Sequence, residues 1–397
     1  MSWSLWVCLS LMQFLEFAIW GAWFPVLAAR LFGPLKMTGK QVGWIYGTMY
    51  LGFIIAPMVG GQLTDRWIAT EWFLAGAHLI GAVLLMVAAR QKTFAPLFVA
   101  MILYATFAFA PTVSAVNALM FAHLTDPGSQ AFGVMLWGVV GWVLMGWLLS
   151  FWRSLKGAGE GNDCLVLAGL LSIIMAVFCA TCLPHTPPVG KAGDMLPFIK
   201  AFSLLKNPSF LVFLIVSFVL ATQLMFYFQG TAAYLGDLGV QSKNIPAVMT
   251  IAQVFEAVSA TLMFLYGSRI MEVTGFRWLF ALGAASWLGL YCIYSLMRPA
   301  WLVIASQALH GIAYTLFVRQ GFVFVNSTAP KDISNSAQAL FIVVMFGFGF
   351  LVGSQYTGVI MDLFKTADGK FRWRTLYLVP TALTGLCVIA MIAFFRG

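Results

Sequence analysis

The chain alternates between long apolar stretches and short polar connections along nearly its whole length. A helix needs about 20 mainly apolar residues to cross the hydrocarbon core of a bilayer, and each stretch reaches that length. The pattern therefore predicts an all-α membrane protein with twelve transmembrane helices. The predicted spans are 3–28, 42–64, 72–90, 94–122, 129–153, 164–184, 209–235, 244–268, 276–297, 300–326, 333–362 and 373–395.

The amino-acid composition excludes several classes of protein. Hydrophobic residues make up 61% of the chain and charged residues 9%, whereas soluble domains are roughly a quarter charged. The net charge of +9 comes from basic residues scattered singly between spans, which favours contact with lipid headgroups over nucleic acid. The six cysteines lie in or beside apolar spans without surrounding histidines and carboxylates, so we predict no metal site and no cofactor. Because no P-loop, G-x-S-x-G or H-E-x-x-H motif occurs, we predict no enzymatic activity and find no sign of an obligate protein partner.

The longest connection lies between the sixth and seventh spans and divides the chain. Pro184, Pro187 and Pro188 end the sixth helix, and a mildly amphipathic run from 195 to 206 predicts a helix at the membrane surface. A six-plus-six division is typical of transporters built from repeated halves with a site between them. The predicted organisation is an N-terminal six-helix half at 1–184, a central cytoplasmic linker at 185–208 and a C-terminal six-helix half at 209–397.

Three charged residues, Glu16, Glu256 and Arg319, lie inside apolar spans. A charge at mid-bilayer costs roughly 3 kcal/mol or more unless it faces a partner or water. Polar residues accompany these charges at helical spacing, which places them on shared helix faces and predicts a solute path rather than contacts between helices alone. The four stripes are Gln13, Glu16, Trp20 and Trp23; Gln223, Tyr227, Thr231 and Tyr234; Thr250, Gln253, Glu256 and Ser259; and Gln307, Gly311, Thr315 and Arg319.

The stripes suggest individual roles. Glu256 is the first candidate for the proton-coupling carboxylate and Glu16 the second, because a buried carboxyl can exchange a proton near neutral pH. Trp20 and Tyr227 are predicted to stack on a flat solute ring, although packing against neighbouring helices explains them equally well. We also expect the charges of Glu16 and Arg319 to compensate each other. The remaining predicted solute contacts are Gln253, Gln13, Asn117, Gln223, Thr315 and Arg319.

A charged turn follows the second span. The run from Gly61 to Arg66 resembles the G-x-L-x-D-R loop signature of the major facilitator superfamily, and it marks Gly61, Asp65 and Arg66 as a conformational loop. The resemblance implies that both termini and this loop are cytoplasmic, in a bacterial inner membrane. The positive-inside rule favours the reverse orientation, because the cytoplasmic side would carry eight Lys and Arg residues and the other side thirteen. We follow the loop signature.

A narrower resemblance extends over nearly the whole chain. The sequence resembles the bacterial nucleoside:proton symporters of the major facilitator superfamily, through motifs that occur in the same order. The motifs are Gln13-Phe14-Leu15-Glu16-Phe17 with Trp20-Gly21, Gly60-Gly61, His78, Pro111-Thr112 with Asn117, Trp137-Gly138 with Gly141, Leu183-Pro184-His185, Gln253-x-x-Glu256 and Ser336-Ala337-Gln338. The resemblance implies that Gln253 and Glu256 contribute to nucleoside recognition.

The chain also departs from that family. Met135 stands where the family has an arginine, and Thr315 stands where it has an aspartate. Met225 and Phe228 replace amides of the seventh span, whereas Glu16 and Arg319 are charged where the family is expected to be neutral. These are the added charges that we expect to compensate each other.

The predicted function is proton-coupled symport of nucleosides or similar polar ring solutes by alternating access. Its expected partners are the small-molecule solute, protons and the lipid bilayer. Because no ATP-binding motif occurs, an ion gradient is the expected energy source. Two alternatives remain open: a symporter of sugars or sugar conjugates, and a membrane receptor that binds a solute without moving it.

Overall fold

The computed structural model describes residues 2–56, 62–188, 197–330 and 333–396, and these are mainly helical. Within them, ten helical runs are long and apolar enough to cross a membrane. The α-helices are α1 (Trp3–Trp23), α2 (Leu27–Phe32), α3 (Gly39–Ala56), α4 (Gln62–Arg66), α5 (Thr70–Arg90), α6 (Phe94–Tyr104), α7 (Ala110–His123), α8 (Pro127–Lys156), α9 (Asp163–Cys182), α10 (Pro208–Asp237), α11 (Ile245–Met249), α12 (Ile251–Leu296), α13 (Ala300–Ala313), α14 (Gln320–Thr328), α15 (Ser334–Ile342), α16 (Phe350–Leu363) and α17 (Trp373–Phe394).

Short segments of other helical geometry interrupt this series. The turns Ala105–Phe109, Tyr314–Arg319 and Val343–Gly349 are π-helical and continue directly into α7, α14 and α16. The predicted surface helix before the seventh span forms as a 3₁₀ helix, Pro197–Lys206. π-Helical turns are rare and often occur at functional sites, which makes Tyr314–Arg319 notable because it carries Thr315 and Arg319.

The connection between the predicted spans 244–268 and 276–297 is short. The run α12 consists of two helices that meet at a kink, at the non-helical Gly275, whose φ is 59°. Glycine adopts this left-handed conformation without the steric cost that a side chain would add. The two predicted spans therefore meet at a single non-helical residue inside the predicted gap.

The helices form two compact units. The first comprises Met1–Met37, Trp44–Met195 and Val240–Thr250, and the second comprises Thr38–Gly43, Leu196–Gly239 and Ile251–Gly397. In the first unit α1 packs closely on α8, where a Cβ at Gly141 would lie 2.2 Å from the Phe14 carbonyl oxygen. Because Gly141 has no side chain, the backbones of α1 and α8 approach closely at this point. The contact positions the polar stripe of α1.

The second unit has an equivalent close approach. A Cβ at Gly311 on α13 would lie 1.9 Å from the Ala252 carbonyl oxygen and 2.4 Å from the Glu256 backbone nitrogen on α12. No side chain fits at this distance, so Gly311 brings the polar stripes of α12 and α13 together. Van der Waals packing of small residues is the main way in which helices associate within a bilayer.

Candidate functional site

Buried polar side chains in the first unit gather around Glu16. We call Glu16, His78, Thr112 and Ser172 the Glu16 cluster. The Thr112 hydroxyl donates to Glu16 Oε1 at 2.9 Å, and His78 Nε2 lies 3.0 Å from Glu16 Oε2. The side chains of Glu16 and His78 are 4% and 5% exposed, so this carboxylate–imidazole pair lies inside the helix bundle.

Four separate helices build this cluster. Glu16 lies on α1, His78 on α5 and Thr112 on α7. On α9, the Ser172 hydroxyl donates to the His78 carbonyl oxygen at 2.9 Å, and its oxygen lies 3.4 Å from His78 Nδ1. The sequence pointed to Glu16 but included His78 only as part of a resemblance, because a single histidine in an apolar span does not reveal its partner.

Gln13 and Asn117, both predicted to contact the solute, bind each other. Gln13 Nε2 donates to Asn117 Oδ1 at 3.1 Å, and Asn117 Nδ2 donates to the Val113 carbonyl oxygen. Gln13 is fully buried, and its Oε1 has no hydrogen-bond partner among the described residues. One amide acceptor is therefore left open one helical turn from Glu16.

Trp20 lies one turn beyond Glu16 and is half-buried. Its ring makes edge contacts with Phe24, Phe109 and Trp142, at centroid distances of 5.5, 5.0 and 5.1 Å. The indole Nε1 has no hydrogen-bond partner among the described residues. Trp20 thus packs within its own unit and also retains a free donor.

The second unit contains an ion pair. We call Glu256, Ser259, Thr315 and Arg319 the Glu256 cluster. Arg319 donates to Glu256 Oε1 from Nε at 3.1 Å and from Nη2 at 2.6 Å. The Thr315 hydroxyl donates to the Glu256 carbonyl oxygen at 3.2 Å and accepts from Ser259 Oγ at 2.8 Å. The Arg319 side chain is 33% exposed and that of Glu256 12%, so the pair borders accessible space.

Each of the two charges that were expected to compensate each other has a partner within its own unit, His78 for Glu16 and Glu256 for Arg319. Compensation between Glu16 and Arg319 stays a prediction. The close approach at Gly311 brings α13 and its π-helical continuation onto α12, so Glu256 is the carboxylate that Arg319 meets. Helical spacing places residues on faces of their own helix, but it does not determine which helix packs against that face.

Tyr227 is covered in this structure. Its ring stacks on His310 with centroids 3.9 Å apart, its hydroxyl donates to Gln307 Oε1 at 3.1 Å, and it is 1% exposed. His310 in turn accepts a hydrogen bond from Trp287 Nε1 at Nδ1. The ring predicted to stack on a solute already stacks on a histidine that the sequence analysis did not single out, although His310 follows Gln307 by three residues.

Two further predicted solute contacts are amides of the second unit. Gln253 lies one turn before Glu256 and is 8% exposed, and its Oε1 has no hydrogen-bond partner among the described residues. Gln223 Nε2 donates to Thr222 Oγ1 at 2.6 Å, and its Oε1 is likewise unpartnered in the described part of the chain. Gln253 is therefore an open acceptor beside the ion pair.

The predicted conformational loop is described only in part. Gly61 lies outside the described residues, as does the side chain of Asp65. Asp65 and Arg66 belong to the short helix α4, and Arg66 is exposed at its end. The role of this loop stays a prediction.

The sequence was compared with known protein families and with individual proteins. The family described as nucleoside H⁺ symporter matches residues 3–397. The nucleoside permease NupG of Escherichia coli strain K12 is 26% identical over 410 residues, which cover 98% of this chain and 95% of that protein. The xanthosine permease of the same strain is 25% identical over 418 residues, covering 98% and 94%.

A solved structure agrees with the fold. The crystal structure of the nucleoside transporter NupG matches with a TM-score of 0.86 at 25% identity, covering 99% of each chain. The family match, the relatives and the apolar helices together indicate a membrane transporter with the major facilitator fold rather than an enzyme. The chain belongs to the nucleoside H⁺ symporter family.

Proposed function

We propose that this chain carries nucleosides across a bacterial inner membrane together with protons. The match of the family over residues 3–397 carries this proposal, and two relatives, a nucleoside permease and a xanthosine permease, support the solute class. The solute is therefore proposed to be a base attached to a sugar. Both parts of such a solute offer hydrogen-bonding groups, and the base adds a flat ring.

The proposed architecture is twelve spans in two six-helix halves, 1–184 and 209–397, joined by a cytoplasmic linker at 185–208. Helix α3 supplies the second span, and α12 supplies the eighth and ninth on either side of Gly275. Both termini are proposed to be cytoplasmic, and the loop with Gly61, Asp65 and Arg66 to move during alternating access. The exposed apolar side chains of the long helices would contact lipid acyl chains.

Solute recognition is proposed to use the open polar atoms beside the charged clusters. Gln253 presents an unpartnered amide oxygen next to the partly exposed Glu256–Arg319 pair, a set able to bind the polar edge of a base. Trp20, with its free indole N–H, is proposed to contact the ring. The other proposed contacts are Gln13, Asn117, Gln223, Tyr227 and Thr315, of which Tyr227 would first have to be uncovered.

Proton coupling needs a group that gains and loses a proton during the cycle. Glu16 and Glu256 are the two proposed carboxylates, and both are held by hydrogen bonds to other helices. A pH gradient would then drive accumulation without a bound nucleotide.

Uptake by purified protein in proteoliposomes tests this function. With an inward proton gradient, we expect at least one labelled nucleoside from a panel of adenosine, uridine, inosine and xanthosine to accumulate. Preloaded vesicles should exchange the same nucleoside in counterflow, and unlabelled xylose or maltose should not compete. Competition by a sugar alone would favour sugar transport, and binding without counterflow would indicate a receptor.

A further inference from the structure

We infer that the buried pair Glu16–His78 is the proton-binding site of the transport cycle, with His78 sharing the proton that Glu16 holds. This inference rests on the proposed function and assigns its coupling step to two named atoms.

The Ser172 hydroxyl determines which imidazole nitrogen of His78 carries a hydrogen. It donates its single hydrogen to the His78 carbonyl oxygen at 2.9 Å. Toward His78 Nδ1, which lies 3.4 Å away, the same oxygen can then act only as an acceptor. Because a neutral imidazole has one donor and one acceptor nitrogen, Nδ1 is the N–H and Nε2 is the acceptor.

The acceptor nitrogen faces another acceptor. His78 Nε2 lies 3.0 Å from Glu16 Oε2, and neither atom makes a hydrogen bond to any described residue in this structure. Two lone pairs at this distance repel each other unless a proton lies between them. The pair is therefore built to hold one proton, and the buried charge of the two side chains changes from −1 to zero when that proton binds.

In the described helices α5 and α7 to α9, charged side chains lie only near the helix ends. Tyr104 on α6 and Cys179 on α9 are further titratable groups that interact with Glu16. The charged or imidazole side chains of α5 and of α7 to α9, apart from His78, are Glu71, Arg90, His123, Arg153, Lys156 and Asp163, and each stands within the first or last turn of its helix. A charge on the pair is therefore neutralised by the bound proton rather than by another charged side chain of these helices.

The other carboxylate is arranged differently. Glu256 Oε1 already accepts two N–H groups from Arg319, so a proton would have to displace a guanidinium from that oxygen. The Thr112 hydroxyl that donates to Glu16 Oε1 is neutral and leaves Oε2 free for the proton. Of the two proposed coupling carboxylates, Glu16 is therefore the one with an oxygen free to bind a proton.

Proteoliposomes that enclose the pH dye pyranine test the pair. The probe is the nucleoside of the panel that the parent exchanges best. We expect His78→Gln and Glu16→Gln to lose nucleoside-dependent acidification of the lumen and to equilibrate the nucleoside without concentrating it. Both should still exchange labelled nucleoside in counterflow, because exchange requires no net proton movement.

His185→Gln is the matched control, since His185 also contacts a carboxylate, Glu71, at 2.6 Å but is 71% exposed. It should acidify and accumulate like the parent. The double variant of Glu16 and His78 should be no worse than either single variant, because one proton position is lost in all three. If His78→Gln does not fold, Glu16→Gln carries the same test, because it keeps the shape of the side chain.

Continued acidification and accumulation by His78→Gln would overturn the inference and leave nucleoside transport intact. Loss of counterflow in folded Glu16→Gln and His78→Gln would also overturn it, since the pair would then serve translocation itself. A parent that exchanges no nucleoside of the panel would instead overturn the proposed function. The parent and the variants therefore report on separate claims.

Discussion

Arg319 places two of its N–H groups on one oxygen of Glu256, at 3.1 and 2.6 Å. The two residues come from α12 and from the π-helical turn that follows α13. Glu256 Oε2 and the remaining guanidinium N–H groups are left to other partners. An acceptor and a donor side by side are suited to the polar edge of a nucleobase.

The first prediction concerns the energy of this pair. Glu256→Gln and Arg319→Gln should each lower the free energy of unfolding by roughly 1–3 kcal/mol, between the values for exposed and buried pairs. The double variant should recover part of the loss, because neither charge is then left alone. Thermal unfolding in detergent measures this cycle, and strictly additive losses would show that the pair contributes nothing.

The second prediction separates recognition from coupling. Glu256→Gln should reduce counterflow and proton-driven accumulation together, because Arg319 then lacks its partner beside the solute. Glu16→Gln, measured in parallel, should abolish accumulation while counterflow continues. If Glu256→Gln instead exchanges nucleoside normally but fails to concentrate it, the coupling proton belongs to Glu256.

The third prediction concerns Trp20. Base–aromatic stacking is worth about 1–3 kcal/mol, so Trp20→Ala should weaken nucleoside affinity by roughly ten- to a hundredfold. Trp20→Phe keeps a ring against Phe109 and Trp142 and should recover part of that affinity. Titration calorimetry gives both values. Unchanged affinity with lowered thermal stability in Trp20→Ala would assign the ring to packing alone.

The fourth prediction concerns the contact between α12 and α13. Gly311→Ala places a methyl group against the Ala252 carbonyl oxygen, so the helices must separate, at a cost of roughly 1–3 kcal/mol or more. Separation also moves Arg319 away from Glu256, so transport should fall with stability. Gly267→Ala is the control, because its nearest neighbour is the Met263 methyl group at 3.6 Å. Equal stability of the two variants would contradict a tight contact at Gly311.

Much of the fold follows from the sequence because the thickness of the bilayer sets the length of each apolar helix that crosses it. Helix α9, at Asp163–Cys182, lies almost where an apolar run from 164 to 184 predicted a span. The two spans predicted on either side of 269–275 meet at a kink at Gly275, where glycine allows a backbone conformation that other residues rarely adopt.

The sequence alone also identified Glu16, Glu256 and Arg319 as charges inside apolar spans, since hydropathy and helical spacing are local properties of the chain. Only the tertiary structure decided their partners. Glu16 meets His78 from α5 and Thr112 from α7, 62 and 96 positions away, while Arg319 meets Glu256 because Gly311 lets α13 approach α12. Periodicity determines the face on which a side chain lies, whereas its partner depends on which helices pack together. That packing is governed by close backbone contacts that no local pattern encodes.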